Sequence, residues 1–88
     1  MKTNPDYVLA VLGDSFLLVP VGAAAKEFKG VISLNEMGKR IWELLTEKHD
    51  TDAVVAAILA EYDVSEEQVR SDVNRFLSAL REKGCIED

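Results

Sequence analysis

Residues 34–45 read LNEMGKRIWELL, and the reading of this stretch decides the fold. Leu34, Met37, Ile41, Leu44 and Leu45 recur at the spacing of one face of an α-helix. Two starts are open to that helix. Asn35 can cap the first turn, or Ser33 can do so with Glu36 three residues later completing a capping box. Trp42 stands on the shoulder of the stripe, where an aromatic ring would seal the helix against a neighbour.

Downstream of this helix the pattern stays helical. Val54, Val55, Ile58 and Tyr62 share one face of a second helix, which Asp50 or Thr51 caps. A third begins at Ser65. Gln68 completes a capping box there, Val64 and Val69 are placed for a hydrophobic staple, and Glu66 and Glu67 suit the positive end of the helix dipole. Val69, Val73, Phe76, Leu77 and Leu80 form its apolar stripe, and Gly84 stops it with Arg81 and Lys83 near the carbonyl end.

Upstream, the chain has β character. YVLAVLG (Tyr7 to Gly13) and FLLVPV (Phe16 to Val21) flank turn chemistry at Gly13-Asp14-Ser15, which predicts a hairpin. Pro20 cannot donate to a strand ladder, so it ends the second strand or places it at an edge. GAAAKEFKG is a loop with room for one helical turn, and VISL (Val31 to Leu34) is a third strand. The expected fold is α+β and winged helix-turn-helix-like: a three-stranded antiparallel sheet followed by three helices. One feature stands out. Tyr7, Leu9 and Val11 on one side of the first strand and Val8, Ala10 and Leu12 on the other are all apolar, whereas a free antiparallel sheet keeps one face polar. Either other elements cover both faces or one face meets a partner.

A helix-turn-helix suggests a DNA reader, but the charge opposes it. In 88 residues there are 16 acidic and 10 basic side chains, a net charge of −6. Such a field disfavours polyanions and anionic membranes. Glu66 and Glu67 also occupy the turn where a recognition helix would meet phosphates. The length predicts one domain over residues 1–88, and the apolar share of 48% argues for a globular one. A single cysteine, Cys85, excludes an internal disulfide and fits a cytoplasmic location. MKTNPD lacks the regions of a signal peptide, and no apolar run approaches the ~20 residues that span a bilayer.

Catalytic chemistry finds little support. His49, the sole histidine, lies in TEKHDTD without ligand or nucleophile partners and reads as a solvated loop residue. Cys85 reads as a small buried hydrophobe. Glu66, Glu67 and Asp72 match capping and dipole needs, and Glu87 and Asp88 are tail charges. No phosphate-cradling, nucleophile-elbow or zinc-helix motif occurs. No cofactor or metal is expected.

Leu34, Asn35, Gly38, Ile41, Trp42, Leu44 and Leu45, followed by Asp72, Val73, Phe76, Leu77 and Leu80, resemble the signature of the PqqD-like family. The strand LLVPVG (Leu17 to Gly22) is similar to one branch of that family, and Met37 stands where threonine or a similar residue is expected. The resemblance implies a RiPP recognition element. This is a non-catalytic peptide chaperone that binds the leader of a ribosomally made precursor and presents it to a modifying enzyme, such as a radical S-adenosylmethionine enzyme or a leader peptidase. The leader is expected as an added strand on Val31, Ile32 and Ser33, against the third helix. Val73 and Leu77 would supply apolar contact there, and Arg70, Asn74 and Arg81 would take polar or acidic leader residues. Asp72, Arg75 and Lys83 lie on the opposite flank, and periodicity leaves open which flank faces the third strand. An exposed sheet edge also permits a homodimer. The alternative is a winged-helix transcription regulator.

Overall fold

Leu12 and Ser15 are paired across a two-residue loop, Gly13-Asp14, and Gly13 adopts φ 61°. Glycine accepts that left-handed position without a Cβ penalty, and such short loops match the twist of the strands they join. The computed structural model describes residues 2–27 and 30–87. In chain order its elements are β1 (Lys2–Thr3), β2 (Tyr7–Leu12), β3 (Ser15–Pro20), α1 (Ala23–Glu27), β4 (Ile32–Leu34), α2 (Glu36–Lys48), α3 (Thr51–Glu61), α4 (Glu66–Glu82) and β5 (Ile86–Glu87). The expected sheet and three helices are therefore present in order. The segment expected as a loop with room for one helical turn carries the five-residue α1, and its Phe28 and Lys29 lie outside the described residues. So does Asp88.

The main sheet is antiparallel in the order β2-β3-β4, so β3 is central. Pro20 is the last residue of β3, as its missing N–H requires. Leu18, at the middle of β3, pairs with Leu9 and Ile32 and is fully buried. Tyr7, Leu18 and Leu34 join the core built by Ile41, Leu44, Leu45, Ile58, Val73 and their neighbours on α2, α3 and α4. On the other face, Val8 and Leu12 remain 44% and 65% exposed. The face of Tyr7 and Leu9 thus lies under the helices, although Val11 near the turn is 53% exposed, and the face of Val8 and Leu12 is open among the described residues.

Local chemistry fixes the helix ends. Asn35, not Ser33, caps α2: its Oδ1 accepts from the Gly38 N–H at 2.7 Å. His49 closes α2 at φ 56° with its N–H on the Leu45 carbonyl, so the solvated loop residue is also a C-cap. Asp50 caps α3 and Ser65 caps α4. The expected capping box at Ser65 is not reciprocal, because the Gln68 amide donates instead to Asp72 at 2.9 Å. Val64 and Val69, the expected staple, line one small cavity. At the far end of α4, Gly84 (φ 77°) donates to the Arg81 carbonyl and Cys85 to that of Leu80. This glycine-based Schellman arrangement turns the chain inward and buries Cys85.

Beyond that turn β5 pairs antiparallel with β1, placing Thr3 opposite Ile86 and Lys2 opposite Glu87. Asn4 reinforces the clasp with a backbone bond to Cys85 and a side-chain bond to the Gly84 carbonyl, and the Tyr7 hydroxyl donates to the Lys83 carbonyl at 3.0 Å.

On the surface, Arg40 of α2 forks onto Glu61 at the end of α3, with Nε 2.8 Å from Oε1. The hydrogen bond from Arg40 holds the Glu61 carboxyl below its ordinary range. A lowered folded-state pKa contributes stability above the unfolded pKa, and that contribution is lost as pH falls through the folded value. Arg40→Met is therefore expected to lower stability at neutral pH, and the deficit should vanish in acid. Denaturation series across the carboxylate range, with carbon-detected titration of Glu61, check both signs. The pair is exposed, so the effect is small and shrinks with salt.

Candidate functional site

β4 is a three-residue edge strand, and its second edge is unpaired among the described residues. Alternate N–H and C=O groups of an edge strand point away from the sheet and can bond to another extended chain. Ser33 is exposed and Ile32 half-buried against the core, so one strand offers an accessible backbone on a rigid base.

An open groove of about 380 Å³ begins at Asn35, the residue after β4, and runs between α2 and α4. Met37, Gly38 and Ile41 line it from α2; Asp72, Arg75, Phe76 and Ala79 line it from α4. Phe76 is half-buried and packs against the core while presenting its remaining ring surface to the groove. Gly38 explains how close the ring lies. A Cβ on Gly38 would come 3.3 Å from Phe76 Cε1 and 3.2 Å from the capping Asn35 Oδ1. Alanine is ordinarily about 1 kcal/mol better than glycine inside a helix. Gly38→Ala is expected to forfeit that gain, because both the cap and the ring must give way. Chemical denaturation should therefore show no stabilisation, and a full gain of about 1 kcal/mol would disprove this role for Gly38.

The groove runs along one flank of α4 only. Val73 and Leu77, expected as apolar contacts, are 0% and 2% exposed and lie in the core beneath it. Arg70 points elsewhere: Asp52 at the start of α3 and Glu66 one turn back each hold it at 2.9 Å. Those two hydrogen bonds, Asp52 first, raise the Arg70 pKa further. Asn74 and Arg81 are exposed and do not line the groove, and Val31 is exposed just before β4. Asp72 and Arg75, from the opposite flank, do line it. Lys83 from that flank lies instead beside Asn4 and Tyr7 at a polar hollow. By the helical stripe Phe76 is expected in the core beside Leu77, since both fit it. The available signal was Gly38, a costly residue in a helical first turn unless something needs the room.

Among the described residues no three His, Cys, Asp or Glu side chains are grouped to hold a metal ion. No helix is long and apolar enough to cross a membrane. What the site offers is backbone hydrogen bonding beside an apolar, mildly charged channel.

No curated protein matches the sequence. Among solved structures the chain is similar to one described as TbiB1 in complex with the TbiA(beta) leader peptide, with 33% identity and a TM-score of 0.80. That likeness spans 99% of this chain and 95% of the other. A family model described as coenzyme PQQ synthesis protein D (PqqD) matches residues 14–86, from the hairpin turn through all three long helices to β5. On that match the chain belongs to the PqqD family.

Proposed function

We propose that this protein captures the leader segment of a ribosomally synthesised precursor peptide as an added strand on β4, and presents it to a separate modifying enzyme. The observation that carries the reading is the unpaired edge of β4 beside the Phe76 groove. Strand addition gives affinity through the backbone and leaves specificity to side chains next to it. The likeness to a chain solved with a leader peptide supports the same reading. The whole chain, 1–88, then acts as one non-catalytic, cytoplasmic binding unit, and the chemistry belongs to a partner such as a radical S-adenosylmethionine enzyme or a leader peptidase. Self-pairing through the other sheet edge, β2, would leave β4 open, so a homodimer keeps the same site. The DNA-reading alternative is disfavoured, since Arg70 is neutralised by Asp52 and Glu66 at the very turn that would approach phosphates.

Titration of isotope-labelled protein with synthetic leader segments of candidate precursor peptides tests the proposal. Amide signals of Ile32 to Leu34 and of Asp72 to Ala79 should shift, and the β4 amides should gain protection from hydrogen exchange. Shifts confined to the α3–α4 turn, or none at all, would sink it.

A further inference from the structure

We infer that Arg75 reads a carboxylate on the bound strand, so the ligand class is an extended peptide carrying an acidic residue opposite Arg75 in the groove. This rests on the peptide-capture reading and adds to it the charge that the groove selects.

This acidic chain pairs its other arginines. Arg40 is held by Glu61 and Glu43, Arg70 by Asp52 and Glu66, and Arg81 has an interaction of its own. Arg75 has no hydrogen-bond or ion-pair partner among the described residues, although acids outnumber bases 16 to 10. The positions four residues away on either side withhold one. Ala79 stands one turn ahead, where a glutamate would pair with it, and Ser71 one turn behind. Asp72, three residues back, has one carboxylate oxygen engaged by the Gln68 amide at 2.9 Å. Arg75 is exposed, yet it lines the groove beside the half-buried Phe76 ring.

A planar guanidinium matches a carboxylate with two parallel hydrogen bonds, and a peptide lying over the groove would exclude water from that pair. Asp72 lines the same groove one turn closer to the start of α4. It repels an acid there and favours one at Arg75, so the two residues together also set the register of the bound strand. The overall charge of −6 opposes a generally acidic ligand. The fit is therefore a single carboxylate on an otherwise apolar or basic strand.

The probe is a display library of short random peptides, selected on the full chain and on Arg75→Glu. Peptides enriched on the parent should share an Asp or Glu at a fixed position, and those enriched on Arg75→Glu should carry Lys or Arg there. For the best parent peptide, changing that acid to its amide should weaken calorimetric affinity about tenfold, and Arg75→Glu should do at least as much. Arg75→Lys keeps the charge but not the fork and should fall between. Circular dichroism of each variant establishes that the fold survives. Enriched peptides that shift the amides of Ile32 to Leu34 but show no acidic preference would overturn the role of Arg75 and leave peptide capture standing. A library that yields no such peptide would overturn both.

Discussion

Leu18→Ala is expected to remove about 2–5 kcal/mol of stability, the usual loss for truncating a fully buried leucine. Leu18 sits at the centre of the central strand, pairs with Leu9 and Ile32, and has no exposed surface. Its side chain is where the sheet meets the helices, so the cavity left behind has rigid walls on both sides and little means of collapse. A small domain typically has only about 5–15 kcal/mol in total, so the variant should be partly unfolded or close to it at ambient temperature. Urea denaturation followed by circular dichroism measures the loss. A value below about 1 kcal/mol would mean that the sheet does not rest on the helices in the way described.

Phe76→Ala should behave differently, and the contrast separates core from site. A fully buried phenylalanine costs about 3–5 kcal/mol on truncation, but Phe76 is only half-buried, so the stability loss should fall below that range. Its larger effect should be on peptide affinity. An aromatic side chain at the middle of a binding groove commonly carries about 2 kcal/mol or more, which is roughly thirtyfold in dissociation constant. Calorimetric titration of the folded variant with the leader peptide measures it. If affinity changes less than about twofold while stability drops by the full core amount, Phe76 is a core residue and the groove is not where the ligand lies.

These two positions also mark what the sequence reveals. The hairpin, the third strand and the three long helices were legible because their signals are local. Asn35, Asp50 and Ser65 are capping residues read within one turn, and Gly13 and Gly84 are read within two or three residues. The choice of the third strand as the edge of the candidate site is implied by the family resemblance alone, since the order of strands along the chain does not say which of them lies at an edge. The flank of α4 was not legible. Phe76 and Leu77 are neighbours in sequence and both fit the stripe, and only the position of α2 decides that Leu77 goes under and Phe76 beside. The diversion of Gln68 to Asp72 follows from the same absence of tertiary information, since a capping box and an i,i+4 bond are equally available to that side chain. β1 and β5 carry no local signal for another reason. Each is two residues long, and each is a strand only because the opposite end of the chain lies beside it.

That pairing has an architectural consequence. With Lys2 facing Glu87, any polypeptide continuing from either end departs from one place on the surface. A unit built this way can be spliced into a surface loop of a larger enzyme with little disturbance to either body, because the host chain leaves and re-enters at nearly the same point. It can also be rewired. A short glycine-rich bridge between residues 2 and 87, with new ends opened at the Gly13-Asp14 turn, would reorder the chain while leaving β4 and α4 uncut, and such a permuted protein should still take up peptide.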